Sequence, residues 1–381
     1  MSEHCHHWIV RAFREIEEVG MRVSSLEHVT VYRNEREYCG WPFNGGLWRF
    51  SDGEIASGFI RCPCKYSDSA WMRHSHLDNL TGEQVIVRSY DDGTTWSPDR
   101  AETVYQRPRF DVEVKAAALA NSATADGRTV TDDFCLLSGF GIPPTDAKET
   151  MFVMCSHDRG KTWDPPQRIP SYDFDSLGGR PSYIVRDDGM ILLFGHAGRG
   201  GVSPLLKPIV LGSCDGGANW ELIGEVDAYP LHPNCIMPYP LALSDGRILF
   251  AARRQYVGGP AYTQIYESTD SARTFRFLSR VNDWGAPASL SELEDGTIVC
   301  VYGYRRPPFG IRARASSDGG CTWGEELVLR DDGGSADLGY PRTHVRADGR
   351  LVTVYYFNDK SDPIQLNGGV RYIGATIWGL G

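Results

Sequence analysis

Short apolar runs alternate with polar turns along almost the whole chain. In "LALSDGRILFAAR" and "SELEDGTIVCVYG", two such runs flank an Asp-Gly pair, which is the pattern of two antiparallel strands joined by a tight turn. The pair recurs at Asp52-Gly53, Asp126-Gly127, Asp188-Gly189, Asp245-Gly246, Asp295-Gly296 and Asp348-Gly349. The pattern predicts an all-β protein built from repeated hairpins.

A second motif falls between these hairpins. The octapeptide S-x-D-x-G-x-T-W begins at Ser89, Ser156, Ser213, Ser268 and Ser316, with Asn219 replacing the threonine of the third copy and Ala272 and Phe275 replacing the glycine and the tryptophan of the fourth. The aspartate can accept backbone N–H bonds within a turn, and the glycine takes a positive φ angle. The aromatic residue then starts the next strand and folds back onto the sheet. Five copies in register predict a repeated structural unit.

Together the two motifs predict the blades of a propeller. Each unit is a strand, an Asp-Gly turn, a strand, a loop, a strand, an octapeptide turn and a strand. The sixth unit, from Tyr340 onwards, lacks the octapeptide. Its third strand is "VRYIGATIW", and its fourth is the N-terminal "EHVTVYRN".

We therefore predict a single six-bladed β-propeller over residues 28–381, closed by that N-terminal strand, which protects the sheet edges. A seventh, irregular blade near the N-terminus is left open. Residues 1–27 are predicted as an N-terminal extension with a short helix over residues 9–23.

Composition narrows the class of protein. The net charge of −10 argues against nucleic acid as a partner, although a locally basic site still suits an acidic substrate. No apolar run is long enough for a membrane span, so we expect no membrane association. The ten cysteines are scattered and no secretion signal is apparent, which predicts free buried thiols and a cytoplasmic location.

Cofactor chemistry has little support in the sequence. Nothing resembles a glycine loop that cradles phosphate, so we expect no organic cofactor. We also predict no metal centre, because the histidines and cysteines lack the paired spacing of a metal site. A structural cation in the central tunnel is left open.

The octapeptides resemble the Asp-box (BNR) repeats of the sialidase superfamily, over roughly residues 40–378. The boxes specify architecture rather than chemistry, so we interpret their aspartates as stabilising turns far from the active centre. In such a propeller, the site lies at the opposite mouth, formed by the starts of innermost strands and the loops after second strands. The resemblance places substrate-binding residues there: Asn44, Lys115, Arg180, His196, Arg253, Arg305 and Arg342.

Sialidases resemble one another in a small set of site residues. Three arginines bind the sugar carboxylate, a glutamate activates a nucleophilic tyrosine, and an aspartate is the general acid. By position, Tyr340 in "DLGYPRT" matches the nucleophile and Arg253 the second arginine. Arg305, Arg306 or Arg312 matches another arginine, and Asp78 or Asp68 matches the acid.

This sequence departs from the sialidase pattern at two positions. Asn44 stands where the first arginine is expected, and Met237 falls near the place of the activating glutamate. A tyrosine without such activation is a poor nucleophile at neutral pH.

Other segments look like a different branch of the superfamily, whose propellers cleave rhamnose from glucuronate as α-rhamnosidases or lyases. These are "NGGLWRFSDGEIASGF", "RHSHLD", "YRRPPFGIRARASSDGGCTWG" and "DLGYPRT". In that branch a first-blade histidine is the acid/base catalyst, and the match falls on His74 or His76. For a lyase, Arg180 and Arg342 suit neutralisation of the uronate carboxylate, and Tyr340 could protonate the leaving oxygen.

We therefore expect a carbohydrate-active enzyme, with an exo-glycosidase cleaving a bond at or next to an acidic sugar as the favoured activity. The alternatives are a polysaccharide lyase acting on rhamnosyl-glucuronate and a non-catalytic glycan-binding or interaction propeller. Arg180, Arg253 and Arg342 would hold the carboxylate of the oligosaccharide or glycoside. His74, His76 or Asp78 would move the proton, and Tyr340 would be nucleophile or hydroxyl donor.

Two pairs of adjacent arginines need separate interpretation. Neighbouring residues of a strand alternate faces, so at most one of Arg253 and Arg254, and one of Arg305 and Arg306, enters the site. We expect the other member of each pair to be a surface ion-pair partner.

Overall fold

The computed structural model describes residues 21–67, 82–106, 129–141, 150–200, 205–226, 234–255, 259–364 and 366–381. These residues form six antiparallel sheets, each built from one segment of the chain apart from the sheet that joins both ends. No seventh sheet occurs among them. The predicted six-bladed β-propeller is confirmed.

Blades 3 to 6 are described with four strands each, from the central channel to the rim. Blade 3 contains β10 (Ser176–Val185), β11 (Ile191–Gly198), β12 (Lys207–Ser213) and β13 (Glu221–Glu225). Blade 4 contains β14 (Asn234–Ala242), β15 (Ile248–Gln255), β16 (Ala261–Ser268) and β17 (Arg276–Arg280). Blade 5 contains β18 (Ala288–Glu292), β19 (Ile298–Tyr304), β20 (Gly310–Ser316) and β21 (Leu327–Arg330). Blade 6 contains β22 (Gly339–Val345), β23 (Leu351–Phe357), β24 (Tyr372–Leu380) and the N-terminal β1 (Val23–Tyr32).

Blade 1 has a broken innermost strand. Its parts, β2 (Glu37–Gly40) and β3 (Leu47–Arg49), pair with the two halves of β4 (Ile55–Pro63). Between them lies the helical turn α1 (Pro42–Gly45), which begins after Trp41 at a φ of 59°. The blade continues with β5 (Glu83–Ser89) and β6 (Glu102–Gln106).

Blade 2 is described by three strands, β7 (Cys135–Gly141), β8 (Thr150–Ser156) and β9 (Gln167–Arg168). The remaining helical elements of the described chain are two 3₁₀ turns, Pro98–Arg100 and Leu366–Gly368.

The octapeptide turns have the predicted geometry. In the second copy, Asp158 accepts the backbone N–H of Thr162 at 2.9 Å and its hydroxyl at 2.6 Å. Gly160 has a φ of 76°, and the indole N–H of Trp163 donates to the Gly160 carbonyl at 3.0 Å. The aspartate accepts the equivalent backbone N–H in the other four copies. In blades 1, 3, 4 and 5 the turn joins a third to a fourth strand, which is its predicted place, and in blade 2 it joins β8 to β9.

In two of the copies, the residue after the box aspartate also links neighbouring blades. In blade 2, Arg159 donates to Asp52 of blade 1 at 2.6 Å and to Glu54 at 3.0 Å. In blade 1, Asp92 accepts the backbone N–H of Ala347 in blade 6 at 2.7 Å. The octapeptide turns therefore tie blades together on the face of the ring where they lie.

The two ends of the chain meet in blade 6, as predicted. Strand β1 pairs antiparallel with β24, with Val29 opposite Ala375. Val31 is completely buried in the core that joins blade 6 to blade 1. The strand begins at Val23, ahead of residue 28, where the sequence placed the start of the propeller. The helix expected over residues 9–23 falls almost wholly outside the described residues.

The expectation of free, buried cysteine thiols agrees with the described part of the structure. The nine cysteines in the described part are all free, and seven of them are buried. Among the described helices, none has the length and apolar character needed to cross a membrane.

An Asp270→Asn substitution should lower stability at neutral pH by an amount that shrinks on acidification. Hydrogen bonds from the Thr274 side chain and backbone lower the pKa of Asp270 from its ordinary 3.8 to about 2. The ionised carboxylate therefore stabilises the folded state fully above about pH 4, and this contribution is lost as pH falls through about 2. Melting temperatures of both proteins across this range measure the effect. A difference that stays constant with pH would contradict it.

A Val31→Asp substitution should destabilise the protein by about 3 kcal/mol or more, because it buries a charge at the closing strand. The matched control is Leu26→Asp on the same strand, whose side chain is 48% exposed. The control should change stability by less than about 1 kcal/mol. Urea denaturation of both variants compares them, and equal losses would show that the strand does not act through its buried face.

Candidate functional site

One mouth of the ring collects the starts of innermost strands and the ends of second strands. The register shows this directly, because Gly178 lies opposite His196 and Ile236 lies opposite Arg253. The octapeptide turns follow third strands, which run antiparallel to the second strands. They therefore lie at the other mouth, away from these polar residues.

The innermost strands of blades 4 and 6 carry an extra residue where they reach this mouth. The register shifts between Ile236 and Tyr239 in β14, and between Gly339 and Arg342 in β22. Within these breaks, Met237 and Tyr340 have φ angles of 54° and 53°, a left-handed conformation that is uncommon for residues other than glycine. Such breaks re-aim side chains, and these two side chains meet at one guanidinium group.

That guanidinium group belongs to Arg253 at the end of β15. Its Nη1 atom lies 3.5 Å from the Tyr340 hydroxyl and 4.0 Å from the Met237 sulfur. Arg305, at the end of the second strand of blade 5, lies over the Tyr340 ring with 5.2 Å between guanidinium carbon and ring centre. Tyr340 is thus flanked by two arginines from two other blades.

The two arginines carry positive charge without a directly bonded carboxylate. Among the described residues, neither Arg253 nor Arg305 forms an ion pair, whereas Arg199 nearby in blade 3 bonds Glu225 with both terminal nitrogens. Burial lowers the pKa of Arg253, and the charge of Arg305 adds to that effect. Among the described residues, the centre of the mouth therefore carries two guanidinium groups without a directly bonded carboxylate.

Arg305 also donates hydrogen bonds to a residue of blade 6 and to the residue that precedes the innermost strand of that blade. Its Nε and Nη2 atoms donate to the Leu338 carbonyl at 3.0 and 2.9 Å, and Nη2 also donates to the Tyr356 hydroxyl at 3.1 Å. Burial alone would lower the pKa of the Arg305 guanidinium, but Tyr356, Tyr340, Asp337 and Tyr38 together raise it above its ordinary value.

The alternation rule separates each arginine pair, but the second members differ from the surface ion-pair partners that we expected. Arg254 is fully buried and donates to the Tyr266 hydroxyl at 3.4 Å. Arg306 is exposed, and its guanidinium lies 4.7 Å from the Trp284 ring centre. The expected surface position was therefore wrong for Arg254, and among the described residues Arg306 contacts an aromatic ring and forms no ion pair.

Arg180 and His196 form a separate group in blade 3. Arg180 donates from Nη1 to the Gly179 carbonyl at 2.8 Å, and the His196 ring packs against the bare backbone of Gly178. Burial, with the nearby charge of Arg180, lowers the pKa of His196 to about 3. His196 is therefore neutral at physiological pH, where it can bind a ligand but is not poised to carry a proton.

Arg342 points deeper into the channel. Its Nε and Nη2 atoms donate to the Phe43 carbonyl at 3.1 and 2.6 Å, and its guanidinium carbon lies 5.1 Å from the Phe43 ring centre and 5.2 Å from the Tyr239 ring centre. It lines a cavity of about 230 Å³ below the mouth. Phe43 also contacts the Tyr340 ring, so Arg342 and Tyr340 do face the same channel. Most of the polar capacity of Arg342 is already used by the protein.

Buried polar atoms from three blades at the mouth lack a hydrogen-bond partner within the described structure. They include Oδ1 of Asn44, Nδ1 of His196 and Nε of Arg253. An unsatisfied buried polar atom costs free energy, so each is a place where a polar ligand could bond. The three belong to blades 1, 3 and 4, which surround the same opening.

Several predicted site residues lie outside the described residues, and their placement stays a prediction. These are His74, His76, Asp78 and Lys115. Among the residues that are described, no group of three or more His, Cys, Asp or Glu side chains could hold a metal ion.

Sequence reasoning missed two residues that contact the site. Tyr356 and Asp337 form a hydrogen bond of 2.8 Å behind Arg305. Asp337 stands three positions before Tyr340 in "DLGYPRT", so the sequence places it close to a candidate site residue. Tyr356 lies in an apolar strand, and only the pairing of Gly339 with Tyr356 brings it to the mouth.

The fold is shared with solved structures. The chain is similar to a protein of unknown function from Dyadobacter fermentans DSM 18053, with a TM-score of 0.74 and 24% identity over 95% of this chain and 100% of that one. It is similar to the Hadza microbial sialidase Hz136, with a TM-score of 0.60 and 15% identity over 91% of this chain and 67% of that one. For Trypanosoma rangeli sialidase in its covalent intermediate with 2,3-difluorosialic acid, the TM-score is 0.58 and the identity 13%.

The chain covers 59% of the length of the Trypanosoma rangeli protein, and 94% of this chain takes part in that match. At these identities the likeness establishes the fold alone. No curated protein matches the chain in sequence.

A family model gives a closer assignment. The model described as a BNR repeat-like domain matches residues 142–353, more than half of the chain. This range contains the octapeptide turns that begin at Ser156, Ser213, Ser268 and Ser316. Their hydrogen bonds are the physical basis of the repeat, and the chain therefore belongs to the BNR repeat-like domain family.

Proposed function

We propose that this propeller is a carbohydrate-active enzyme that binds an acidic sugar at the mouth and cleaves a glycosidic bond at or next to it. The observation that carries the proposal is the convergence of Arg253 and Arg305 on Tyr340, with no ion pair to either arginine among the described residues. A guanidinium group binds a carboxylate through two parallel hydrogen bonds. In a chain of net charge −10, this is a strongly local basic site.

A sugar fits the rest of the mouth better than a simple anion does. Asn44 offers an acceptor, Arg253 a donor, and neutral His196 an unbonded ring nitrogen. Sugar hydroxyls both donate and accept, so they can satisfy all three atoms at once. The fold shared with sialidases, one of them bound to 2,3-difluorosialic acid, supports the same class of ligand.

Hydrolysis is the favoured reaction. The Tyr340 oxygen would attack the anomeric carbon and give its proton to one of His74, His76 and Asp78, while another of these residues protonates the leaving oxygen. Water would then attack the anomeric carbon, the bond to the Tyr340 oxygen would break, and the proton that water loses would return to Tyr340. Arg253 and Arg305 would hold the carboxylate, with Arg180 nearby in blade 3. The two guanidinium groups beside Tyr340 would also stabilise negative charge that develops at the reacting centre.

Elimination is a second candidate, favoured by the surroundings of Tyr340. Among the described residues, no carboxylate bonds its hydroxyl, and the thioether of Met237 contacts the same Arg253 nitrogen as that hydroxyl does. In elimination from a uronate, a base such as His74 or His76 removes the C5 proton. The electron pair then forms the C4–C5 double bond as the C4–O bond breaks, and Tyr340 protonates the leaving oxygen. An arginine on the carboxylate assists by acidifying the C5 proton.

A glycan-binding propeller without catalysis is the remaining alternative. It would use the same arginines and the same unsatisfied polar atoms, but it would leave the bound sugar intact. Binding and turnover therefore have to be measured separately.

Glucuronate should bind more tightly than glucose, which differs from it only in carrying a CH₂OH group in place of the carboxylate. Arg253→Gln should weaken glucuronate binding roughly tenfold to hundredfold, because it removes a charged donor from the site. Arg306→Gln is the control, since Arg306 is an exposed arginine that stacks on Trp284. Calorimetric titration measures all three proteins. Equal affinity for the two sugars would overturn the proposed acidic-sugar site.

The reaction type should be visible on two substrates, a sialyl-lactose and a rhamnosyl-glucuronate. Hydrolysis releases reducing sugar without new absorbance, whereas elimination adds absorbance at about 235 nm from the unsaturated uronate. Tyr340→Phe should reduce either reaction at least a hundredfold, because both use its hydroxyl. Unchanged turnover in that variant would contradict the assigned role. Binding without turnover of either substrate would favour the binding module.

A further inference from the structure

A carboxylate lies behind the mouth and collects hydrogen bonds from two blades. Asp337 accepts the hydroxyl of Tyr38 in blade 1 at 2.7 Å and the hydroxyl of Tyr356 in blade 6 at 2.8 Å. Arg371 donates to the same oxygen as Tyr38, at 3.2 Å. Its backbone is fixed as well, because the Asn358 side chain donates to the Asp337 carbonyl at 2.7 Å.

One of these tyrosines continues the chain of hydrogen bonds to the site. The Tyr356 hydroxyl accepts from Arg305 Nη2 at 3.1 Å while it donates to Asp337 Oδ1. Burial, followed by the charge of Asp337, raises the pKa of the Tyr356 phenol well above its ordinary value. Tyr356 therefore keeps its proton, and the chain runs in one direction from Arg305 through Tyr356 to Asp337.

We propose that Asp337 is a positioning residue that fixes Arg305 over Tyr340 through the Tyr356 hydroxyl and so sets the affinity of the mouth for the carboxylate of an acidic sugar. This inference rests on the proposed function. It assigns Asp337 no contact with the substrate.

The indirect arrangement preserves the charge that a ligand would need. Where a carboxylate bonds an arginine directly, as Asp332 does to Arg330 at 2.7 Å through both oxygens, the two charges offset each other. Asp337 instead acts across one neutral hydroxyl group, and the structure has no direct hydrogen bond between it and Arg305. Arg305 is therefore held in place while its Nη1 atom makes no hydrogen bond within the described structure.

The two tyrosines on Asp337 provide a matched pair of variants. Both are buried and both donate one hydroxyl to the carboxylate, but only Tyr356 also contacts Arg305. Tyr38→Phe and Tyr356→Phe each remove one hydroxyl and leave the ring in place. Each should lower the melting temperature, because each leaves the carboxylate with one donor fewer.

Their effects on ligand affinity should differ. With glucuronate as the probe and calorimetry as the readout, Tyr356→Phe should weaken binding about tenfold, whereas Tyr38→Phe should change it less than about twofold. Equal losses of affinity in the two variants would overturn the proposal and leave Asp337 with a purely structural role.

A double-mutant cycle tests the route of the effect. Asp337→Asn alone should weaken glucuronate binding, but in the Tyr356→Phe background it should add less than about twofold, because its path to Arg305 is already cut. Independent, additive effects would contradict a route through Tyr356. If the wild-type protein neither binds glucuronate nor prefers any acidic sugar, the proposed function itself is overturned, together with this inference.

Discussion

The pairing of β1 with β24 is the interaction on which the rest of the structure depends. The residues of the mouth come from different blades, with Asn44 in blade 1, His196 in blade 3, Arg253 in blade 4 and Tyr340 in blade 6. Their distances are set by the angles between sheets, which the closed ring holds fixed. Closure also gives the last sheet its outer strand, so that β24 does not end the ring as an open edge. The octapeptide turns, with links such as Arg159 to Asp52, reinforce the ring at its other face.

Within that ring, local breaks in register create the site. A regular strand would alternate its side chains between neighbouring blades, but the extra residues at Met237 and Tyr340 interrupt this order at the channel. Both side chains then reach Arg253. The arrangement of charged groups also differs between the contacts that join blades and the mouth. Carboxylates bond arginines directly where blades are joined, while at the mouth Asp337 stands one hydroxyl group away from Arg305.

The sequence predicts the architecture better than the site for a physical reason. Octapeptide turns and Asp-Gly hairpins are local, since their hydrogen bonds link residues at most a few positions apart, as between Asp158 and Thr162. The position of Arg253 beside Tyr340 was anticipated only through a family resemblance. Residue type does not reveal the left-handed backbone conformation of Met237 and Tyr340, because neither residue is a glycine. Tyr356 reaches Asp337 through strand pairing, and Arg254 is buried against Tyr266, which alternation alone does not reveal. His74, His76, Asp78 and Lys115 remain predictions from sequence.

In the proposed function, Arg253 and Arg305 form a carboxylate site beside Tyr340. A crystal structure of the full chain soaked with glucuronate tests it most directly. We expect the carboxylate to lie within hydrogen-bond distance of both guanidinium groups, with sugar hydroxyls near Asn44 and His196. A sugar bound at the octapeptide face, or one that turns its carboxylate away from both arginines, would contradict it.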